Sequence, residues 1–238
     1  MALATWWTSD PLMDLTPLSN FQVRLPTDDA RLATINQITV AEVEQRQRAG
    51  HRPYVGYIDG TAATYGWVAT REASIGELNL VFPIAADSRY LWDFATVPNW
   101  QGRGLYPRLL QAIVQAERAE RFWIIHAPEN LPSGAGMQKA GFQAVGQLSF
   151  QHDHTLGLIP FGLSKRARVG AALLGVALIE DGLSPCWRCV NQIVCTCQHD
   201  PENCSCAVEI RSSPTTPPAV MKHSGIPAGE PGSEENYT

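Results

Sequence analysis

The stretch from Tyr90 to Ala127 most constrains what this chain can fold into. It holds an apolar run, YLWDFATV (Tyr90 to Val97), then a glycine-studded turn, Gln101-Gly102-Arg103-Gly104. A helical pattern follows from near Leu105, and a second apolar run, RFWIIHA, closes the stretch. Runs this continuous suit strands covered on both faces, and such strands need helices above and below them. Leu105, Leu109, Ile113 and Ala116 form one stripe at helical spacing, widened by Leu110 and Val114. Pro107 falls in the first turn of that helix, where a missing N–H costs nothing. The pattern is strand, turn, helix, strand, and it predicts an α/β fold.

The flanking sequence extends that reading. FQVRL (Phe21 to Leu25) predicts a short strand. A helix follows, capped by Thr27 or Asp28, with Leu32, Ile35 and Ile38 at helical spacing. VAEVEQRQRAG predicts a second helix closed by Gly50. YVGYI and TAATYGWVAT are two β-rich runs joined by Asp59-Gly60, a strong signal for a two-residue hairpin. IGELNLVF reads as one strand stopped by Pro83, SGAGMQKAG as a helix closed by Gly141, and FQAVGQLSF as a last strand. The order predicts a mixed sheet flanked by helices.

At 238 residues the chain has room for one ordinary domain plus extras, or for two small domains. Its net charge of -5 gives no basic field for nucleic acid. The longest apolar run, VGAALLGVALI from Val169 to Ile179, is too short to span a bilayer. The N-terminus lacks the basic and apolar regions of a secretory signal, so a cytoplasmic protein with no membrane partner is expected. These features divide the chain into a body over residues 20–152, a docking helix over 165–181, a cysteine-rich module over 182–207 and a disordered tail over 212–238. The tail is rich in Pro, Gly and Ser and too poor in apolar residues to offset its ordering entropy.

A glycine turn opening a helix leaves several N–H groups without helical acceptors, and the helix dipole adds partial positive charge there. Such a turn suits a phosphate or pyrophosphate, with Gly102 and Gly104 letting backbone approach the anion and Arg103 and Arg108 adding charge. Here the chain resembles the GNAT superfamily of acyl-CoA-dependent N-acetyltransferases, over roughly residues 20–150. That family carries Q/R-x-x-G-x-G/A after its fourth strand. Gln101 and Gly104 match the first two defined positions, and Tyr106 replaces the small residue of the third. A second signature, an Asn about eleven residues before Gly-Phe, is matched by Asn130 and Gly141-Phe142.

The resemblance implies an acetyl-CoA co-substrate. Its pyrophosphate would lie on Gln101, Gly102, Arg103, Gly104, Leu105 and Tyr106, and its pantetheine arm along Ala95, Thr96 and Val97, where the strand splays at a bulge. Asn130 completes the implied cofactor set. The acceptor would be an amine of a small molecule, a peptide or a protein. Asp93 and Glu77 are the candidate bases, while Met137 stands where many family members place a proton-donating Tyr, and His126 ends the second apolar run. The alternative is a degenerate CoA-binding fold acting as an interaction protein through a metal-bound cysteine module, with a protein partner or a homodimer as a further expectation.

All six cysteines, Cys186, Cys189, Cys195, Cys197, Cys204 and Cys206, fall within one short segment. In a reduced compartment such crowding reads as thiolates for a soft metal: first a four-Cys zinc site leaving two free thiols, then a binuclear zinc or an iron–sulfur centre, with His199 a further ligand candidate. Protein purified without chelator is expected to carry about one equivalent of zinc, enough to decide whether so coreless a segment folds. Elemental analysis checks it; six freely titratable thiols and no stoichiometric metal would refute the reading.

Overall fold

The computed structural model describes residues 1–151, 155–162 and 165–180. The cysteine-rich module and the tail lie outside the described residues, as does the end of the expected docking helix. In chain order the elements are β1 (Ala2–Trp7), β2 (Phe21–Arg24), α1 (Asp29–Asn36), α2 (Val40–Arg48), β3 (His51–Ile58), β4 (Thr61–Ala69), β5 (Glu72–Ile75), β6 (Leu80–Pro83), β7 (Ser88–Thr96), α3 (Leu105–Ala116), β8 (Arg121–His126), α4 (Leu131–Ala140), β9 (Gln143–Phe150), β10 (Leu156–Pro160), α5 (Lys165–Leu174) and β11 (Ala177–Leu178). Among the described residues no helix is long and apolar enough to cross a membrane.

Nine of these strands form one mixed sheet in the order β11-β10-β9-β1-β8-β7-β4-β3-β2, and β5 pairs with β6 in a separate hairpin. The central parallel pair, β7 with β8, is the crossover expected from the two apolar runs and the helix between them. Alternate residues divide the core. Leu3, Tyr90 and Trp123 pack with Ala167, Ala171 and Leu174 of α5, while Ala4, Leu91 and Ile124 pack with Leu109 and Leu110 of α3 and Met137 of α4. Helices α1 and α2 lie over Val55, Tyr65 and Trp67. Because Trp67 and Ala69 alternate with Val68, they share the α5 face.

Local chemistry matches the expected element ends. Asp28 and Thr39 cap α1 and α2 by accepting from the N–H groups of Arg31 and Glu42. Asp59 and Gly60 take φ of 47° and 79°, the pair of left-handed residues that a tight β3–β4 turn requires. Three elements depart from the sequence reading. The body begins before residue 20, since β1 lies inside the sheet, antiparallel to both β8 and β9. IGELNLVF is not one strand: a 3₁₀ turn over Gly76–Leu78 breaks it between β5 and β6. Helix α5 ends at Leu174, and the chain then adds β11 to the sheet edge.

A buried ion cluster ties α3 to the sheet. Glu117, the residue after α3, accepts from Arg89 Nε at 2.9 Å, Arg52 Nη1 at 2.8 Å and the Tyr54 hydroxyl at 2.9 Å. Burial pushes the Glu117 carboxyl up, but Arg89, Tyr54 and Arg52 outweigh it and hold the group below its ordinary 4.5. Its contribution to stability is therefore complete above that pH and is lost as pH falls through the lowered folded value. Glu117→Gln leaves Arg89 buried without its counter-charge, for an expected loss of about 3 kcal/mol. Melts from pH 7 to pH 3 check this: Tm should fall at neutral pH, and the variant should lose less further stability on acidification than the parent.

Candidate active site

Strands β7 and β8 pair from Ser88–Arg121 to Leu91–Ile124, and there the pairing stops. Beyond it β8 stays in the sheet through β1, with Leu3 opposite Ile125 and Ala2 opposite His126. β7 stays attached to β4, through Tyr65 opposite Ala95 and Thr64 opposite Thr96. Among the described residues, none pairs with the edge of β7 that faced β8 from Trp92 to Thr96, and that edge is open there.

The parting coincides with a bulge. Trp67 is opposite Trp92 but Tyr65 is opposite Ala95, so Asp93 and Phe94 together face Gly66, and Asp93 takes a φ of 52°. Gly66 is required here, because a Cβ on it would sit 2.1 Å from the Phe94 ring. Of the residues expected to carry the pantetheine arm, Ala95 accepts a bond from the Thr64 hydroxyl, Thr96 bonds that same hydroxyl, and the Val97 N–H donates to Ala63. All three are secured from the β4 side.

The glycine turn follows directly. Gln101 Nε2 donates to the Thr96 carbonyl at 3.1 Å and folds the turn back over the strand end. The N–H groups of Trp100 and Gln101 donate to Val97 and Pro98, while those of Gly102, Arg103, Gly104, Leu105 and Tyr106 find no acceptor among the described residues. Gly102 and Gly104 have φ of 75° and 68°, and no side chain caps α3. A Cβ on Gly102 would meet nothing within 4 Å among the described residues, so within them the turn has open space before it. Arg103 lies over the Trp100 ring, exposed. Arg108 is turned away onto the carbonyls of Gly104 and Thr16.

Tyr106 does not block the turn. Its side chain runs inward between α3 and α4, edge-on to Phe94 at 5.6 Å and with its hydroxyl 3.5 Å from Ser133 Oγ. Burial pushes the phenol pKa up, against a smaller opposing effect of Ser133, so the hydroxyl keeps its proton. Room comes from α4: a Cβ on Gly136 would lie 2.4 Å from the Tyr106 ring. Asn130 caps α4 by accepting from the Ser133 N–H at 3.1 Å, and Met137 is buried in the α3–α4 core, where it offers no proton.

The acidic candidates are separated. Asp93 is at the bulge, its carboxylate bonded to Arg46 and Asn36. Glu77 is exposed on the 3₁₀ turn after β5 and acts electrostatically on Tyr90, which stands in the paired half of β7. His126 ends β8 at the open half, half-buried, with Nδ1 on the Ala127 carbonyl at 2.9 Å and its ring against Gly134. Burial lowers its pKa, outweighing the opposing Ala127 bond, and leaves a neutral imidazole near pH 7.

No family model and no curated relative matches the chain. Among solved structures it is similar to a GCN5-related N-acetyltransferase from Kribbella flavida, at 14% identity over 60% of this chain and 53% of that one, with a TM-score of 0.42. It is also similar to the aminoglycoside acetyltransferase AAC(6')-Ib in complex with ribostamycin and coenzyme A, at 16% identity over 57% and 89% of the two chains, TM-score 0.42. A third is the ribosomal-protein-S18-alanine N-acetyltransferase from Escherichia coli, at 15% identity over 56% and 83%, TM-score 0.41. The chain spans about half the length of the first of these.

An Ala in place of a helix-interior Gly ordinarily stabilises by about 1 kcal/mol. At Gly136 the sign should reverse, because Tyr106 is hemmed in by Phe94 and Ser133 and overpacking costs about 1–3 kcal/mol. Urea melts of Gly136→Ala, Tyr106→Ala and the double variant should show the double variant losing less than the sum of the singles.

Proposed function

We propose that the chain is an N-acetyltransferase of the GNAT type, moving an acetyl group from acetyl-CoA to an amine. The observation that carries it is the opening of β7 from β8 beyond Leu91, running straight into a helix start whose N–H groups lack acceptors. An extended acyl–pantetheine arm fits against the open β7 edge by backbone hydrogen bonds. The pyrophosphate fits the amides of Gly102 to Tyr106, where backbone donors and the α3 dipole act together.

On this reading the open edge does the chemical work of orientation: a backbone N–H of the β7 edge polarises the thioester carbonyl. His126 is the neutral proton acceptor at the open end and takes the proton of the incoming ammonium. The Met137 position supplies packing, so the leaving thiolate draws its proton from elsewhere. The metal reading of the six cysteines falls outside the described residues and is supported by their spacing alone.

Calorimetry with acetyl-CoA on the full chain tests the assignment. The parent should bind; Gly104→Val should not, because a β-branched residue is strained at φ 68° and its Cβ would meet Arg108 Nη1 at 2.7 Å. His126→Gln should bind normally but turn over slowly, by about 100-fold for a lost general base. Equal affinity in the parent and Gly104→Val would remove the turn from the site.

A further inference from the structure

We propose that Asp93 is a positioning residue and not a base, and that α1 and α2 hold the open slot in shape through it. The inference rests on the acetyl-CoA reading for what the slot holds, but its geometry stands independently. A non-glycine residue at φ 52° persists only where its surroundings over-determine it, and here they are specific. Arg46 Nη1 donates to Asp93 Oδ2 at 2.5 Å, and Asn36 Nδ2 donates to the same oxygen at 3.2 Å. Neither partner is loose. Arg46 lies over the rings of Trp67 and Trp92 at 5.1 and 4.7 Å and also binds Glu42, so its guanidinium is fixed from both sides. Asn36 accepts from Trp67 Nε1 at 2.6 Å, which fixes which end of its amide faces Asp93.

Both donors converge on the carboxylate from the α1–α2 side of the sheet. Asn36 ends α1, and Arg46 is in the last turn of α2. The next residue, Phe94, turns to the other face, over Gly66, and meets Tyr106 in the first turn of α3. Tyr106 in turn rests on Gly136 of α4. A continuous series of contacts therefore runs from α1–α2 through the bulge to the start of α3, where the free N–H groups stand. Each link is a packed or hydrogen-bonded contact with little slack, so loosening the clamp should be felt at the turn. Oδ2 already holds two donors, so the clamp and not an incoming amine sets the orientation of this carboxylate.

Three variants separate positioning from catalysis. Arg46→Met keeps the stem against the tryptophans but removes both bonds. Arg46→Lys restores charge without the planar fork. Asp93→Gly removes the carboxylate while accepting φ 52° without strain. Amide hydrogen exchange on the ligand-free chain is the first readout. Arg46→Met should speed exchange at the bonded amide of Val97 and also at those of Trp100 and Gln101 and the first bonded amides of α3, with Arg46→Lys between it and the parent. Faster exchange confined to α1 and α2 would overturn the coupling.

Acetyl-CoA affinity and the pH profile of kcat are the second readout. Arg46→Met should weaken binding roughly tenfold, a usual size of coupling between linked sites. Asp93→Gly should weaken binding less and leave the shape of the kcat–pH profile as in the parent. A hundredfold loss of kcat in Asp93→Gly, with unchanged affinity and a lost acidic limb, would make Asp93 the base and overturn the proposal. If the parent does not bind acetyl-CoA, the functional reading fails while the exchange arm still decides the clamp.

Discussion

The structure depends on one broken contact, the end of hydrogen bonding between β7 and β8 after Leu91 and Ile124. Two central parallel strands normally stay zipped, because each unpaired N–H and C=O in a dry interior costs about as much as a lost hydrogen bond. Here the opening is supported from both outer sides. β4 holds the far edge of β7 through Tyr65 and Thr64, and β1 holds the far edge of β8 through Leu3 and Ala2. Sequence, bulge and turn are arranged around keeping that gap, with Gln101 closing its lower end on Thr96.

The N-terminal strand has a larger part in this than its position suggests. β8 and β9 are joined by α4, yet they do not pair with each other; β1 enters between them, antiparallel to both. Leu3 and Ala4 then serve the two opposite cores, and the Thr5 hydroxyl bonds the Phe122 carbonyl inside the sheet at 2.8 Å. A segment read only for the absence of a signal is thus a central strand. Its stretch ALATWW shows no clean two-residue alternation because both of its faces are covered, the circumstance in which period-based reading loses its signal.

Legibility followed the range of the forces. Asp28, Thr39, the Asp59-Gly60 turn and Gly141 act within a few residues of themselves, and each sits where its local chemistry places it. The glycine turn and the helix after it were readable for the same reason. The bulge at Asp93 was expected only through the family resemblance, near Ala95 to Val97, and had no local mark. WDFAT carries no glycine or proline to mark it; the mark is Gly66, on the neighbouring strand, which makes space for Phe94. The roles of Asn36 and Arg46 were hidden in the same way, since they bind a residue that is distant in sequence.

Tyr106 shows how such a cross-chain dependence changes what a motif means. Taken alone, an aromatic residue in the glycine turn's third position argues against anion binding, for lack of room. The room is supplied thirty residues later by Gly136, and the Tyr106 ring leaves the turn to fill the seam between α3 and α4. Gly134 does the same for His126 two residues earlier in α4. Two glycines in a ten-residue helix sacrifice helix propensity, and Asn130 with Gly141 must secure its two ends. α4 is thus a weak helix shaped by its neighbours. Its notches admit a phenol that braces the bulge and an imidazole that lies at the open end of β8. A substitution that repairs its propensity would crowd the groups around the slot, so the helix is kept weak by the same packing that keeps the strands apart.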